Sequence, residues 1–437
     1  MTSPDGLLEM VSDLRAGRTK PSRVLADALQ RVGAKEPAVH AWVNVDVDGS
    51  AAQAKALETA GRQGPLWGIP VAVKDLIDVE GLPTGCGSPL RGHEPATEDA
   101  DCVRLLREAG AIIVGKTVTT EFGYFAPGPT RNPVNPAHTP GGSSSGSAAA
   151  VAAGMVPLAL GTQTAGSLTR PASYCGVAGF VAAKDQFSTA GITGLSHSLD
   201  SLGMISRTVR DVRYAWESLS RFETVEQEQP IGPVELLLWG GSGLGELSKE
   251  MSEALIAAES TLSTQLGFHF SVWSEHGMVR DLAEQHATVM ASEASAARTE
   301  ELAHHHELSV PFAELLAAGR ALPHHEYIAA LGLIAASRRQ VLALLERFDA
   351  VLGPAALGAA PPGLEDTGSP ILSRPWQALG LPVLTIPGLT SADGMPLGLQ
   401  LIGAPGREPR LFDIGQRIEE ALRPADGKQS ARLPLQR

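Results

Sequence analysis

The chain has 437 residues and a formal net charge of −13. That acidic balance argues against a nucleic-acid or anionic-membrane partner, since both need a basic face. Three cysteines, Cys86, Cys102 and Cys175, are too few and too scattered for a disulfide framework or a zinc knuckle, so a reducing bacterial-type cytoplasm is the expected compartment. Length alone would allow two or three domains, but there is no Ser/Gly- or Pro-rich spacer, no block of like charge and no repeat. A single domain over residues 1–437 is the reading that follows. The start, Met1-Thr2-Ser3-Pro4-Asp5-Gly6, lacks the basic and apolar regions of a signal peptide. No run approaches the roughly 18 apolar residues of a membrane span.

In chain order, the first element is a helix with Val24, Leu25, Ala28, Leu29 and Val32 at helical spacing and Thr19 placed to cap it. A short apolar run, Gly68 to Ile77, reads as a buried strand. Asp101 to Gly110 reads as a helix ending at glycine, and Ala111 to Val114 as a strand. Ser147 to Ala153 is a small-residue helix closed by Gly154, and Val156 to Leu160 another buried strand. A β-α-β unit follows: Val234 to Leu238, a helix with Met251, Leu255, Ala258, Leu262 and Leu266 on one face, then Phe268 to Val272. Leu282 to Phe348 is helical, Pro382–Pro387 and Gly398–Gly403 are late strands, and Leu411 to Leu422 is a terminal helix. Strands alternating with helices predict an α/β fold with a largely parallel or mixed sheet covered by helices on both faces, and a central mixed sheet in a single domain is the reading adopted.

Lys74 lies inside the first buried strand, where an ammonium is expensive to bury unless it is paired, neutral or aimed into a cavity. Asp75 is adjacent but points to the opposite face, which makes it a poor partner. Two polar, small-residue stretches follow: Thr139 to Ser147, with a serine cluster, and Gly161 to Pro171, with Ser167 after Thr164, Ala165 and Gly166. A serine hydroxyl needs a base, and a lysine serves only when burial depresses its pKa toward neutrality. A buried lysine and two serine motifs are the parts of a serine hydrolase without a histidine. Backbone N–H groups of Thr164, Ala165, Gly166 and Ser167 would converge on an oxyanion.

The strand around Lys74, Gly141 to Gly154 and Ala165-Gly166-Ser167 resemble the amidase signature family. Asn132 to Pro136, Cys175 to Phe180, Leu195 to Gly203 and Gly380 to Gly403 are similar to further family stretches. The family-like core covers about residues 60–215 and 353–425, and the divergent, substrate-facing region about 219–352. The resemblance implies a Ser–cis-Ser–Lys triad, with Ser143 as the bridging serine on a cis peptide bond, Ser167 as nucleophile and Lys74 as base. It departs from the family at Gln163, where an aspartate is usual, at Ser145, where a glycine is usual, and across Val181 to Asp185.

Other motifs carry less. Gly142 to Gly146 fits G-x-S-x-G, but a Pro-rich loop rather than a strand precedes it. The loop lacks the Lys-Ser/Thr ending of a P-loop, and Gly241 to Gly245 lacks the full dinucleotide fingerprint. Some of Ser144, Ser145 and Ser147 are expected to act only as helix caps. His304 to His306 and His324-His325 read as solvated faces, and neither metal nor cofactor is expected. Arg170 has two readings: fixing the turn before Pro171, slightly favoured, or gripping a substrate carboxylate. The expected activity is hydrolysis of small aryl or alkyl amides. Carbamates and carboxylate-bearing amides or ureido acids are alternatives, and membership of an amidotransferase complex is the rival of another class. The partner is a small-molecule substrate, and a homodimer is an admissible assembly.

Overall fold

The fold is described from a computed structural model over residues 6–92, 94–220 and 232–423. The segment Met1–Asp5 and both ends of the expected 1–437 domain lie outside the described residues.

Val71 and Val73 join one hydrophobic core, while Ala72 joins the other. This alternation is the period of a strand with both faces buried. Among the described residues eleven strands share one sheet: β1 (Trp42–Val45), β2 (Pro70–Lys74), β3 (Ile112–Thr117), β4 (Leu158–Gln163), β5 (Ala178–Val181), β6 (Ser201–Ser206), β7 (Glu235–Leu238), β8 (His269–Val272), β9 (Ala350–Pro354), β10 (Val383–Thr390) and β11 (Pro396–Ile402). Their order is β1-β3-β2-β4-β6-β5-β10-β11-β9-β7-β8. The β3-β2-β4 and β9-β7-β8 groups pair in parallel; every other neighbouring pair is antiparallel. The sheet is mixed and covered by helices on both faces, as the sequence predicts.

β7, the helix Lys249–Leu266 and β8 form the expected β-α-β unit, with Met251, Leu255, Ala258 and Leu262 buried. The cap at Thr19 is a correction. The helix Pro21–Val39 starts after Lys20, which forms no side-chain cap, and Pro21 opens the first turn with its φ already helical. The small-residue helix also starts earlier than expected, spanning Ser145–Ala152. Gly146 permits this: a Cβ there would lie 2.2 Å from the Ala41 carbonyl oxygen and 2.4 Å from the Val118 nitrogen. The serines of this helix do not cap it. Ser144 occupies the N-cap position without a capping bond, and its Oγ donates to the Thr162 carbonyl at 3.2 Å. Ser145 Oγ donates to the Val118 carbonyl at 3.3 Å and Ser147 Oγ to the Leu160 carbonyl at 2.9 Å. They tie the helix to β3 and β4.

One helix, His324–Leu345, is long and apolar enough to cross a membrane, with a mean hydropathy of 1.5 over its most apolar window. This corrects the expectation that no run approaches that length. Here the helix packs on the helix His276–Ala297 with Ala330, Ile334, Val341 and Leu345 buried, and Arg338 Nε donates to the Leu379 carbonyl at 2.9 Å.

Candidate active site

β2 and β4 run parallel, so Lys74 and Thr162-Gln163 reach the same edge of the sheet, where α/β folds gather their ligands. Lys74 falls two residues after Ala72, on the face covered by the helix Ser145–Ala152. Its Nζ donates to Ser143 Oγ at 2.7 Å and to Thr162 Oγ1 at 2.9 Å. Burial lowers the amine to about 7, and the charge of Asp200 opposes that shift. Asp75 takes the other face, where its carboxylate pairs with buried Lys116 at 3.0 Å. The peptide bond Gly142–Ser143 is cis.

Ser143, Thr164, Ala165, Gly166, Ser167 and Arg170 all border one narrow cleft. The Ser167 carbonyl accepts the Ser144 N–H at 2.9 Å, which clamps the two serine loops together. Among the described residues the N–H groups of Thr164, Ala165, Gly166 and Ser167 have no acceptor, and they sit at the turn that feeds the helix Thr169–Cys175. Their turn is braced from outside the cleft. Gln163 Oε1 accepts the N–H groups of Leu168 and Thr169 at 3.0 and 2.9 Å, and its Nε2 donates to Gln377 Oε1 at 3.0 Å. The amide oxygen thus offers those N–H groups the acceptor a carboxylate would, without the charge.

Arg170 is buried and occupied. Its Nη1 donates to the Gly368 carbonyl at 2.6 Å, and its Nη2 to the Gly142 carbonyl at 2.6 Å and to Thr367 Oγ1 at 3.1 Å. Burial lowers its guanidinium to about 10.

Sequence reasoning missed four residues here. Thr162 holds Lys74 with its hydroxyl. Asp200 accepts the Thr164 hydroxyl and the N–H groups of Leu195 and Ser196, the latter two at 2.9 Å each; burial raises its carboxyl. His286, fully buried on the helix His276–Ala297, contacts the Thr164 carbonyl through Nε2 at 2.7 Å. Desolvation holds this ring down at about 3, so it is the neutral form that donates Nε2–H to the carbonyl. Arg374 borders the same cleft. The only sequence signals were the place of Asp200 in the Leu195–Gly203 stretch and that of Thr162 in the Gly161–Pro171 stretch; His286 and Arg374 had none.

Gly123, Tyr124 and Phe125 line the cleft from the segment after β3, and Met290 reaches it from the divergent middle. His304, His305 and His306 lie on an exposed turn of helix, and among the described residues no three His, Cys, Asp or Glu side chains converge as metal ligands.

The fold and this edge of the sheet define an α/β enzyme of the amide-hydrolysing class. The sequence profile described as Amidase matches residues 23–236. AtzE of Pseudomonas sp. (strain ADP), which belongs to a 1-carboxybiuret hydrolase, is 32% identical over 94% of this chain and 98% of its own length. A component of glutamyl-tRNA(Gln) amidotransferase from Acidothermus cellulolyticus is 29% identical over 96% of this chain and 95% of its own. A crystal structure described as an amidase superposes with a TM-score of 0.87 at 33% identity, covering 96% of this chain and 100% of that one. The chain belongs to the amidase signature family.

Proposed function

We propose that this enzyme cleaves the C–N bond of small amides through an acyl-enzyme on Ser167, with Lys74 as base and Ser143 as the proton bridge. The observation that carries the reading is the buried Lys74 amine, held near neutrality and 2.7 Å from the Ser143 hydroxyl at the wall of the cleft. With the amine neutral, Ser143 passes its proton to Lys74 Nζ and takes the proton of Ser167. Ser167 Oγ then bonds to the substrate carbonyl carbon, and the N–H groups of Thr164 to Ser167 receive the oxyanion. Collapse breaks the C–N bond, and the proton returns through Ser143 to the leaving nitrogen. Water, deprotonated along the same route, attacks the ester, releases the acid and restores the Ser167 hydroxyl. Carbamates present the same carbonyl to the same groups, and a substrate panel separates them from amides. The three cysteines are buried and unpaired, which fits the reducing cytoplasm we assign to the chain.

Fluorophosphonate inactivation followed by peptide mass spectrometry tests the nucleophile. The adduct is expected on Ser167, and Ser167→Ala is expected to lose both labelling and amide hydrolysis while melting at the parent temperature. An adduct on another serine, or hydrolysis surviving in Ser167→Ala, would overturn the assignment.

A further inference from the structure

Among the described residues the cations that border the cleft are Arg170 and Arg374, and the site's carboxylate, Asp200, lines the adjoining pocket behind Ser143 and Thr164. Arg170 is already engaged with two backbone carbonyls and a hydroxyl. Arg374 differs: among the described residues it forms no hydrogen bond and no ion pair, and the Tyr124 phenol is the one group whose charge favours its cationic form; its Nε, like that of Arg170, is buried without an acceptor. Its two terminal nitrogens are not among the buried donors, so the forked end of the guanidinium is open to a ligand in the cleft.

Its position is informative. Arg374 opens the short helix Arg374–Ala378. The segment before it lies against the nucleophile loop: a Cβ on Gly166 would sit 3.0 Å from Pro370 Cβ and 3.3 Å from Ser373 Oγ. Arg374, Phe125 and Pro370 border both the inner cleft and a wider outer opening, so the guanidinium lies between solvent and Ser167. Glu365 and Asp366 border only that outer opening, and neither pairs with Arg374.

We infer that Arg374 anchors a carboxylate carried by the substrate, so that the preferred substrates are amides bearing a second, ionised carboxyl group. This rests on the hydrolase reading above. A guanidinium offers the paired donors that match a carboxylate, and a substrate held there would complete a charge pair that the chain leaves open.

Succinamate and butyramide form a matched pair, alike in chain length and differing in the distal carboxylate. Wild-type kcat/KM is expected to favour succinamate by at least about tenfold. Arg374→Gln is expected to shrink that preference roughly 10–100-fold, mainly through KM for succinamate, as expected for a lost charge-assisted hydrogen bond. Because the readout is a ratio within one preparation, a general loss of active protein cancels. Arg374→Lys keeps the charge without the fork and is expected to fall between; it serves also if the glutamine variant does not fold. Independently of turnover, succinate is expected to protect Ser167 of the wild type from fluorophosphonate, and butyramide at the same concentration is not. Protection as strong in Arg374→Gln and Arg374→Lys as in the wild type, or a wild-type preference of one or less, overturns the anchor. A wild type that hydrolyses neither amide and takes no label sinks the hydrolase reading itself, so the two failures are distinguishable.

Discussion

Lys74 owes its chemistry to where the strand puts it. An exposed lysine is almost wholly protonated at neutral pH and has no lone pair to offer. Burial brings this amine to about 7, and the first consequence is a pH profile. In the proposed mechanism the neutral amine is the active form, so kcat/KM is expected to climb as pH rises through about 7 and to level off above it. A profile flat from about pH 5.5 to 8.5 would remove Lys74 as the base. Lys74→Ala is expected to cost about 10²–10⁴-fold in kcat, and Lys74→Arg is expected not to recover it, because a guanidinium stays protonated. This residue was legible in the sequence because a cation within an apolar, β-branched strand conflicts with its surroundings. Thr162 and Asp200 carry no such conflict. A threonine at a strand end and an aspartate in a polar turn are ordinary, and only the parallel pairing of β2 and β4 and the fold of the Leu195–Gly203 stretch bring them to the amine and the nucleophile loop.

At the scale of elements, the site is held by side chains that reach from one segment to another. Arg170, on the helix Thr169–Cys175, ties that helix to the carbonyls of Gly142 and Gly368, which belong to the bridging-serine loop and to the segment before β10. Losing it leaves buried carbonyls short of a donor in two loops that border the cleft, at about 1–3 kcal/mol for each unsatisfied group. Arg170→Ala is therefore expected to lower the melting temperature and to reduce kcat on succinamate and butyramide alike. An unchanged melting temperature with loss confined to succinamate would instead make Arg170 the carboxylate anchor. The helical period of residues 282–348 was visible in the sequence. That His286 would face the Thr164 carbonyl was not, because periodicity assigns a residue to an apolar face without naming the loop that face meets. The serines of Gly141 to Ser147 show the same limit: the capping role expected of some of them is not taken up, because carbonyls of Val118, Leu160 and Thr162 lie within reach of their hydroxyls.

At the scale of the molecule, the two family-like stretches and the divergent middle are stitched into one sheet. β7 and β8, from the middle, extend it, β7 pairing with β9 and β8 with β7, while β10 and β11 sit between β5 and β9. The alternation of strands and helices made a sheet with helices on both faces legible and left largely parallel and mixed pairing both open; the strand order was not legible, since the antiparallel joins of β10 with β5 and of β4 with β6 depend on crossovers that no local pattern encodes. This closure bears on whether the chain works alone, because two of its relatives are components of multi-chain enzymes. Every group the proposed reaction uses, from Lys74 on β2 to Ser167 after β4, comes from this one chain, and so do the cleft walls at Tyr124, Met290 and Arg374. The purified chain is therefore expected to hydrolyse amides and to take the fluorophosphonate label without added protein, at a rate per chain independent of enzyme concentration across its self-association range. Activity that appears only on adding a second polypeptide, or labelling that needs one, would mean that the cleft is completed from outside and would move the chain to the amidotransferase-like reading.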